Sequence, residues 1–347
     1  MAMTWKPKYT ITDKLLFTIR EIGQAIGEIK SFHLSDKTLA KLEVRARALS
    51  TYASTSIEGN PLPLTDVKQL LKTSTTHIRD TEREVLNYNQ ALQGIYTAVK
   101  SSNFTLNIKV LEKVQKQVVD GLMDNPAHCG HLRQAPVIIR NPLKPDEIVF
   151  VPPDANEVKQ LTSELMKFIN SHVGKIDPII LAGLFHRQSV IIHPFIDGNG
   201  RTTRLLTTAI LGKSGLDLFE IFSFENYYNQ NITRYFKAVG LTGDYYDHKD
   251  NVDFTNWLEY FAEGILDELS RVRKTLPTII NSPRLEPHHQ QILDYINENG
   301  SITQREYGEI SSRSLAARKI DFEKLINFKL IKNKGTGRGT YYVPAEE

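Results

Sequence analysis

Residues 193–204 read HPFIDGNGRTTR and lie between two apolar stretches. Upstream, Ile179 to Ile192 is apolar on nearly every side, the pattern of a helix in the middle of a domain. Downstream, Leu205, Leu206, Ile210 and Leu211 resume an apolar helical face. A polar, glycine-rich loop between two buried helices is costly unless its polar groups find partners. Gly198 and Gly200 permit backbone geometry and close approach that a side chain would block. Consecutive free N–H groups at a helix start make an anion nest. Arg201 and Arg204 are three apart, share a face of that helix, and offer donor forks to phosphate oxygens. Asp197 beside the nest would repel phosphate unless a divalent cation lay between them, which points to Mg²⁺. His193 precedes the nest, and a histidine near its neutral pKa is a natural acceptor of a hydroxyl proton. The string therefore reads as a nucleotide, Mg²⁺ and a hydroxyl nucleophile, the parts of phosphoryl or nucleotidyl transfer. No other phosphate motif competes. Gly212-Lys213-Ser214 ends like a Walker A loop, but Thr207 stands where that loop needs glycine.

Outward from the loop, the first two hundred residues carry helical stripes. Leu15, Ile19, Ile22, Ile26 and Ile29 are one; Leu39, Leu42, Ala46 and Leu49 another. Val85, Tyr88, Leu92, Ile95 and Val99 follow, then Leu111, Val114, Val118 and Leu122, then Val158, Leu161, Leu165 and Phe168. Each striped face must be buried, so the segments predict a packed bundle. One interruption, Ala135 to Arg140 and Ile148 to Val151, predicts a hairpin with a long loop that leans on the helices. Pro277, Pro283 and Pro287 mark a linker. Beyond it the pattern predicts three helices, the third from about Ser312 or Ser314 to Phe328, and a two-stranded wing: a winged helix-turn-helix. The fold expected is mainly α, a helical core with a short hairpin plus the winged unit. Its divisions are residues 1–104, 105–275, a linker at 276–287, and 288–347.

Composition bounds the rest. The 347 residues hold 43 Lys and Arg against 40 Asp and Glu, a formal charge of +3, which does not mark the whole chain as a nucleic-acid binder. The single cysteine, Cys129, excludes a disulfide framework and a four-cysteine zinc site within this chain. No run reaches the length of a membrane span, and the polar first residues with Pro7 lack a signal segment's apolar centre.

Residues 193–204 resemble the signature loop of the Fic (filamentation induced by cAMP) family, HxFx(D/E)GNGRxxR, at every fixed position. His186 corresponds to a histidine common seven residues upstream, Gln134 to Pro152 to the family's flap hairpin, and Tyr235-Phe236 and DFTNWLEYF (253–261) to downstream helices. Ser189 departs from the usual phenylalanine, for which a local packing adjustment is expected. The resemblance implies a protein adenylyltransferase that moves AMP from ATP onto a Ser, Thr or Tyr hydroxyl of a target protein. It implies that His193 deprotonates that hydroxyl, that Phe195 anchors the loop, and that Asp197 holds Mg²⁺. It implies that Gly198, Asn199 and Gly200 line the phosphates, that Arg201 steadies the β-phosphate and Arg204 the γ-phosphate, and that Tyr235 borders the adenosine. The flap residues Ala135, Pro136, Val137 and Ile138 would clamp the target by strand-like pairing.

Upstream, Ser54, Glu58 and Gly59 fit the family's inhibitory pattern, (S/T)xxxE(G/N). The residues alone place Glu58 in the last turn of a helix, where the dipole disfavours a carboxylate. The resemblance implies that it pairs with Arg204 in the γ-phosphate seat. Such a charge-assisted pair is worth about 1.5–3 kcal/mol. At the C-terminus, residues 301–340 hold nine basic and four acidic residues, a local +5, with Arg313, Arg318 and Lys319 expected on or near the third helix. Leu315, Phe322, Leu325 and Ile326 would be its buried side. Duplex DNA is thus a candidate partner, and the resemblance adds self-modification and a homodimer. A de-AMPylating phosphodiesterase, transfer of another nucleotide or of phosphocholine, and a DNA-binding regulator with a nucleotide-sensing loop stay open beside transfer. The setting expected is bacterial and cytoplasmic, without a membrane partner.

Overall fold

The computed structural model describes residues 5–32, 34–73, 78–101, 104–141, 144–280, 285–328 and 330–345. The chain divides into two compact units, Met1–Pro277 and Thr278–Glu347.

The first unit opens with α1 (Asp13–Ser31), started by Thr12, whose hydroxyl accepts the Leu15 N–H at 3.1 Å. Leu15, Ile22, Ile26 and Ile29 on its stripe are buried. There follow α2 (Asp36–Ile57), α3 (Leu64–Leu70), α4 (Asp80–Lys100) and α5 (Ile108–Val118). The sequence pattern did not anticipate α3, whose seven residues are too short for a period to show. Next come β1 (Ile139–Asn141), β2 (Lys144–Val151), α6 (Ala155–His172), α7 (Pro178–Ile192) and α8 (Asn199–Lys213). Asp177 caps α7 by accepting the Ile179 N–H at 2.8 Å, with Pro178 at its first position. Nearly every residue of α7 is buried, as its all-round apolar character requires. α7 packs along α8 at the centre, and α2, α4, α5 and α6 surround this pair. Residues 1–104 are therefore not a separate unit: α2 and α4 lie directly on α8.

The hairpin differs from expectation. Pairing begins at Ile139, and Ala135 to Ile138 lies outside the strands. Pro136 has no N–H to give a ladder. The register, Ile139 on Phe150, Arg140 on Ile148 and Asn141 on Lys144, slips twice. Phe150 packs with Ile191 and Tyr245, which seats the hairpin on α7. The unit closes with α9 (Phe224–Gln230), α10 (Ile232–Val239), β3 (Gly243–Asp244), α11 (Tyr245–His248) and α12 (Thr255–Ile280). β3 adds to β2 in parallel, a strand too short to read from sequence. α12 runs through Pro277, so the first five residues of the expected linker are helical. Residues 281–284 of that linker lie outside the described residues.

The second unit holds α13 (Pro287–Asn299), β4 (Ile302–Thr303), α14 (Gln304–Ile310), α15 (Leu315–Asn327), β5 (Ile331–Lys334) and β6 (Tyr341–Pro344). Its strands form one antiparallel sheet in the order β4-β6-β5 over a core that includes Ile292, Ile296, Tyr307, Phe322 and Leu325. One expected burial fails here, and two basic residues lie on or near the third helix as expected but turn inward. Leu315, at the start of α15, is 62% exposed. Arg313 precedes α15 and grips both oxygens of the buried Asp321. Arg318 turns back to the carbonyls of Arg313 and Gln304. Asp321 also accepts the Tyr307 hydroxyl at 2.9 Å, and the His288 and His289 Nε2 atoms lie 3.2 and 3.5 Å from it. His289 Nδ1 accepts the Glu286 N–H, so its ring proton sits on Nε2 and faces the carboxylate. The hydrogen bonds to Asp321 come from Arg313 and Tyr307, and His289 Nε2 beside it has no hydrogen-bond partner among the described residues. Lys329, counted among the basic residues, lies outside the described residues. Among the described residues no helix is long and apolar enough to cross a membrane.

Candidate active site

The loop is held from within. α7 ends at Ile192, and His193 takes a left-handed backbone, φ 49°. Its Nδ1 lies 3.4 Å from the Val190 carbonyl, which places the ring proton there and leaves Nε2 as the acceptor. Burial pulls the pKa of His193 down to about 4, the Val190 carbonyl opposing it and Arg133 adding to it, so the ring is neutral at pH 7. Phe195 is fully buried and anchors the turn, as expected. Asn199 departs from expectation. Its Oδ1 accepts the Phe195 N–H at 2.9 Å and its Nδ2 donates to the Phe195 carbonyl at 2.8 Å, so its side chain ties the loop rather than lining a phosphate. Gly198 has φ 78°, and a Cβ there would meet Val119 at 2.7 Å, so glycine is required twice over. The N–H groups of the first turn of α8 have no helical partner.

The two arginines are held by carboxylates from the N-terminal helices. Arg204, 1% exposed, donates through Nε to the Ser54 hydroxyl at 2.7 Å and through Nη2 to the Ser54 carbonyl at 3.0 Å. The same Nη2 reaches Glu58 Oε1 at 2.6 Å. Glu58 is the C-terminal cap of α2, and Gly59, φ 97°, turns the chain away behind it. Burial works against the Glu58 charge, but Arg204 and Arg201 outweigh it and hold the carboxyl below its ordinary range. The pair is thus what an unfavourable helix-end carboxylate gains in exchange. A Cβ on Gly200 would collide with the Glu58 carboxylate, which therefore lies directly over the anion nest. Arg201, 7% exposed at its side chain, donates to Glu84 Oε1 at 2.6 Å and to Asp197 at 3.1 Å. Glu84 in turn accepts Asn60 Nδ2 at 2.8 Å.

Asp197 keeps 54% of its side chain exposed at the mouth. A hard carboxylate oxygen beside a phosphate nest suits Mg²⁺, which takes one or two protein carboxylates and completes its shell with phosphate and water. Behind Arg204 the structure corrects another expectation. Tyr235 is 1% exposed, so it cannot border an adenosine. Its hydroxyl lies 3.1 Å from His186 Nε2. Thr207 gives its proton to the Thr203 carbonyl at 2.7 Å, so it accepts from His186 Nδ1 at 3.0 Å, and His186 Nε2 accepts from Tyr235. Burial and the Arg204 charge hold His186 neutral. Ser189 pairs with the Thr203 hydroxyl at 2.9 Å, a polar contact inside the core at the position where a local packing adjustment was expected.

Sequence reasoning missed three residues. Glu84 holds Arg201. Gln115, fully buried, donates to the Asp197 carbonyl at 3.0 Å and accepts the Gly130 N–H at 2.6 Å. Arg133 binds the carbonyls around His193. Glu84 and Gln115 sit on helices and Arg133 in the irregular segment before β1, with nothing local to mark them. His193, Asp197, Gly198, Gly200, Arg201, Arg204, Ser54, Glu58 and Gly59 are brought together around one mouth. Ala135, Pro136 and Ile138 are exposed and Val137 is half-buried, in the segment that leads away from Arg133.

Residues 105–211 match the Fic/DOC family model. The chain carries a Fic domain. It is 25% identical over 307 residues to the Protein adenylyltransferase Fic of Drosophila virilis, across 84% of this chain and 58% of that one. To the protein of the same name from Culex quinquefasciatus it is 28% identical over 191 residues, 54% of this chain and 36% of that one. The chain thus spans less than two thirds of the length of these curated relatives. Among solved structures, a Fic family protein from Desulfovibrio desulfuricans G20 superposes with a TM-score of 0.70 at 19% identity, across 99% of each chain. A Fic domain-containing signaling protein from Bacteroides thetaiotaomicron gives 0.62 at 21%, across 74% of this chain and 97% of that one. These show the Fic fold.

Proposed function

We propose that this chain is a protein adenylyltransferase, held off at rest by its own α2. One observation carries the reading: a neutral imidazole, an anion nest and two buried arginines converge on one mouth, and a carboxylate of the same chain covers the nest. In the reaction the target hydroxyl oxygen bonds to the α-phosphorus of ATP. His193 Nε2 takes the hydroxyl proton. The bond from the α-phosphorus to the bridging oxygen breaks, and pyrophosphate leaves with that oxygen. Mg²⁺ would be held by Asp197 and would supply charge neutralisation at the phosphates. Arg201, Arg204 and the N–H groups of α8 orient the chain of phosphates for that displacement. The exposed Ala135–Ile138 segment, free of strand partners in its own hairpin, suits pairing with an extended target.

The test is label transfer from ATP carrying ³²P at the α or the γ position, with Glu58→Gly protein, Mg²⁺ and a cell lysate. Label on protein from the α position alone supports AMP transfer. Label from the γ position alone marks a kinase and rejects the reading. No label, with ATP still raising the melting temperature, favours a sensor or a hydrolase.

A pH dependence follows from His193. Its folded pKa of about 4 keeps the base form present down to that pH, and the ring protonates only below it. The acid limb of kcat/KM should therefore lie near pH 4, not near the ordinary histidine value of about 6.5. A limb above pH 6 would contradict the assignment. For the second unit, the order α13-β4-α14-α15-β5-β6 supports a winged helix. It does not support its duplex-binding role, because Arg313 and Arg318 turn inward.

A further inference from the structure

Arg133 is a cation with a side-chain environment made of carbonyls. It is 3% exposed, and among the described residues its hydrogen bonds all end on main-chain oxygens. Nε donates to the His193 carbonyl at 2.8 Å and Nη2 to the Ile192 carbonyl at 3.3 Å. Its own main-chain N–H donates to the Pro194 carbonyl at 2.9 Å. Three successive carbonyls around the base are thus held by one residue. Nη2 also binds the Pro153 carbonyl, and Nη1 the Ala135 carbonyl at 3.2 Å.

This arrangement is costly. A buried guanidinium without a carboxylate gives up water and gains only partial charges. Burial accordingly pulls its pKa below the ordinary arginine range. What it secures is geometry. The last carbonyls of α7 lack helical partners, and His193 sits in a backbone region that residues with a Cβ disfavour. A rigid fork can satisfy several of those oxygens at once, which an ammonium cannot.

We propose that Arg133 is the positioning residue of this site: it fixes the turn that presents His193 and sets the Ala135–Ile138 segment against it. The kinetic part rests on the transferase reading; the structural part does not.

The test uses full-length Glu58→Gly protein as parent, with Arg133→Ala and Arg133→Lys added singly. Transfer kinetics are read together with ¹⁵N-histidine NMR, the His193 signal being identified by its loss in His193→Ala. The groups that act on His193 are Arg133, Glu58, Asp197 and the Val190 carbonyl. The parent lacks the raising charge of Glu58, so its His193 should titrate below the wild-type value of about 4, and removing the Arg133 cation should raise it in Arg133→Ala. Arg133→Lys keeps the charge, so its pKa should move less. Both variants should lose about 10- to 100-fold in kcat, the scale of a slight misplacement of a reacting group. KM for ATP should stay within about 2-fold, because the nest and its arginines do not touch Arg133. An unchanged kcat in both variants, or a rise in ATP KM as large as the fall in kcat, overturns the proposal. If Arg133→Ala does not fold, Arg133→Lys decides on the same readings. If the parent transfers no label, the transferase reading fails by itself. The His193 titration then decides: an unmoved pKa and tautomer in a folded Arg133→Ala overturn the positioning role.

Discussion

Replacing Glu58 by glycine should raise the initial rate of AMP transfer at limiting ATP about 10- to 150-fold. The factor is a charge-assisted pair of about 1.5–3 kcal/mol converted at 1.4 kcal/mol per decade. The pair is not a surface contact: Arg204 is 1% exposed and Glu58 30%, so solvent screening takes little from it. Glycine also removes the carboxylate lying over Gly200, where the phosphate chain would pass. The change should not unfold α2, since Glu58 is its cap and glycine is well tolerated at a helix C-terminus. Glu58→Gln separates the two effects: it keeps the bulk, drops the charge, and should give an intermediate rate. ATP affinity measured by calorimetry should tighten in step with the rate. A Glu58→Gly protein with wild-type rate and wild-type ATP affinity would show that the pair restrains nothing.

In that released background, His193→Ala should lower the chemical step about 10²- to 10⁴-fold, the range for loss of a positioned general base. Binding should hardly change. The imidazole does not contact Arg201 or Arg204, whose partners come from α2, α4 and Asp197. Single-turnover transfer and ATP affinity, measured on the same preparation, give the two numbers independently. A fall in affinity that matches the fall in rate would move His193 from base to ligand. A rate unchanged by His193→Ala would remove the chemistry assigned to it.

Much of this was legible before any coordinates. The loop from His193 to Arg204 is a local motif, and its glycine, arginine and carboxylate spacings carry their meaning along the chain. The helical stripes of α1, α2, α4 and α6 are likewise local, because 3.6 residues per turn print burial into the sequence. The Ser54–Glu58 spacing survives for the same reason, being one helical turn. The failures share one cause. Ala135 looked like the start of a strand, but Pro136 and the grip of Arg133 keep it out of the ladder. Tyr235 looked like a ring for a base, and its burial against His186 comes from α7 and α10 packing. Asn199 looked like a phosphate donor, and its amide is taken by Phe195 four residues back. Arg313 looked like a surface cation, and Asp321 takes it inward.

The sequence by itself determined the chemistry on offer: a glycine-rich anion nest, a histidine before it, two arginines in the helix it opens, and a carboxylate far upstream at the end of α2. Only the tertiary structure decided which of these are engaged. Glu58 lies 146 residues from Arg204, and Glu84 lies 117 from Arg201, so no local pattern can pair them. Their meeting depends on α2 and α4 burying their apolar faces against α8, a packing outcome in which the charges are carried along. Short-range periodicity and motif spacing specify residues and elements; the charge pairing at this site comes from how the elements close on one another.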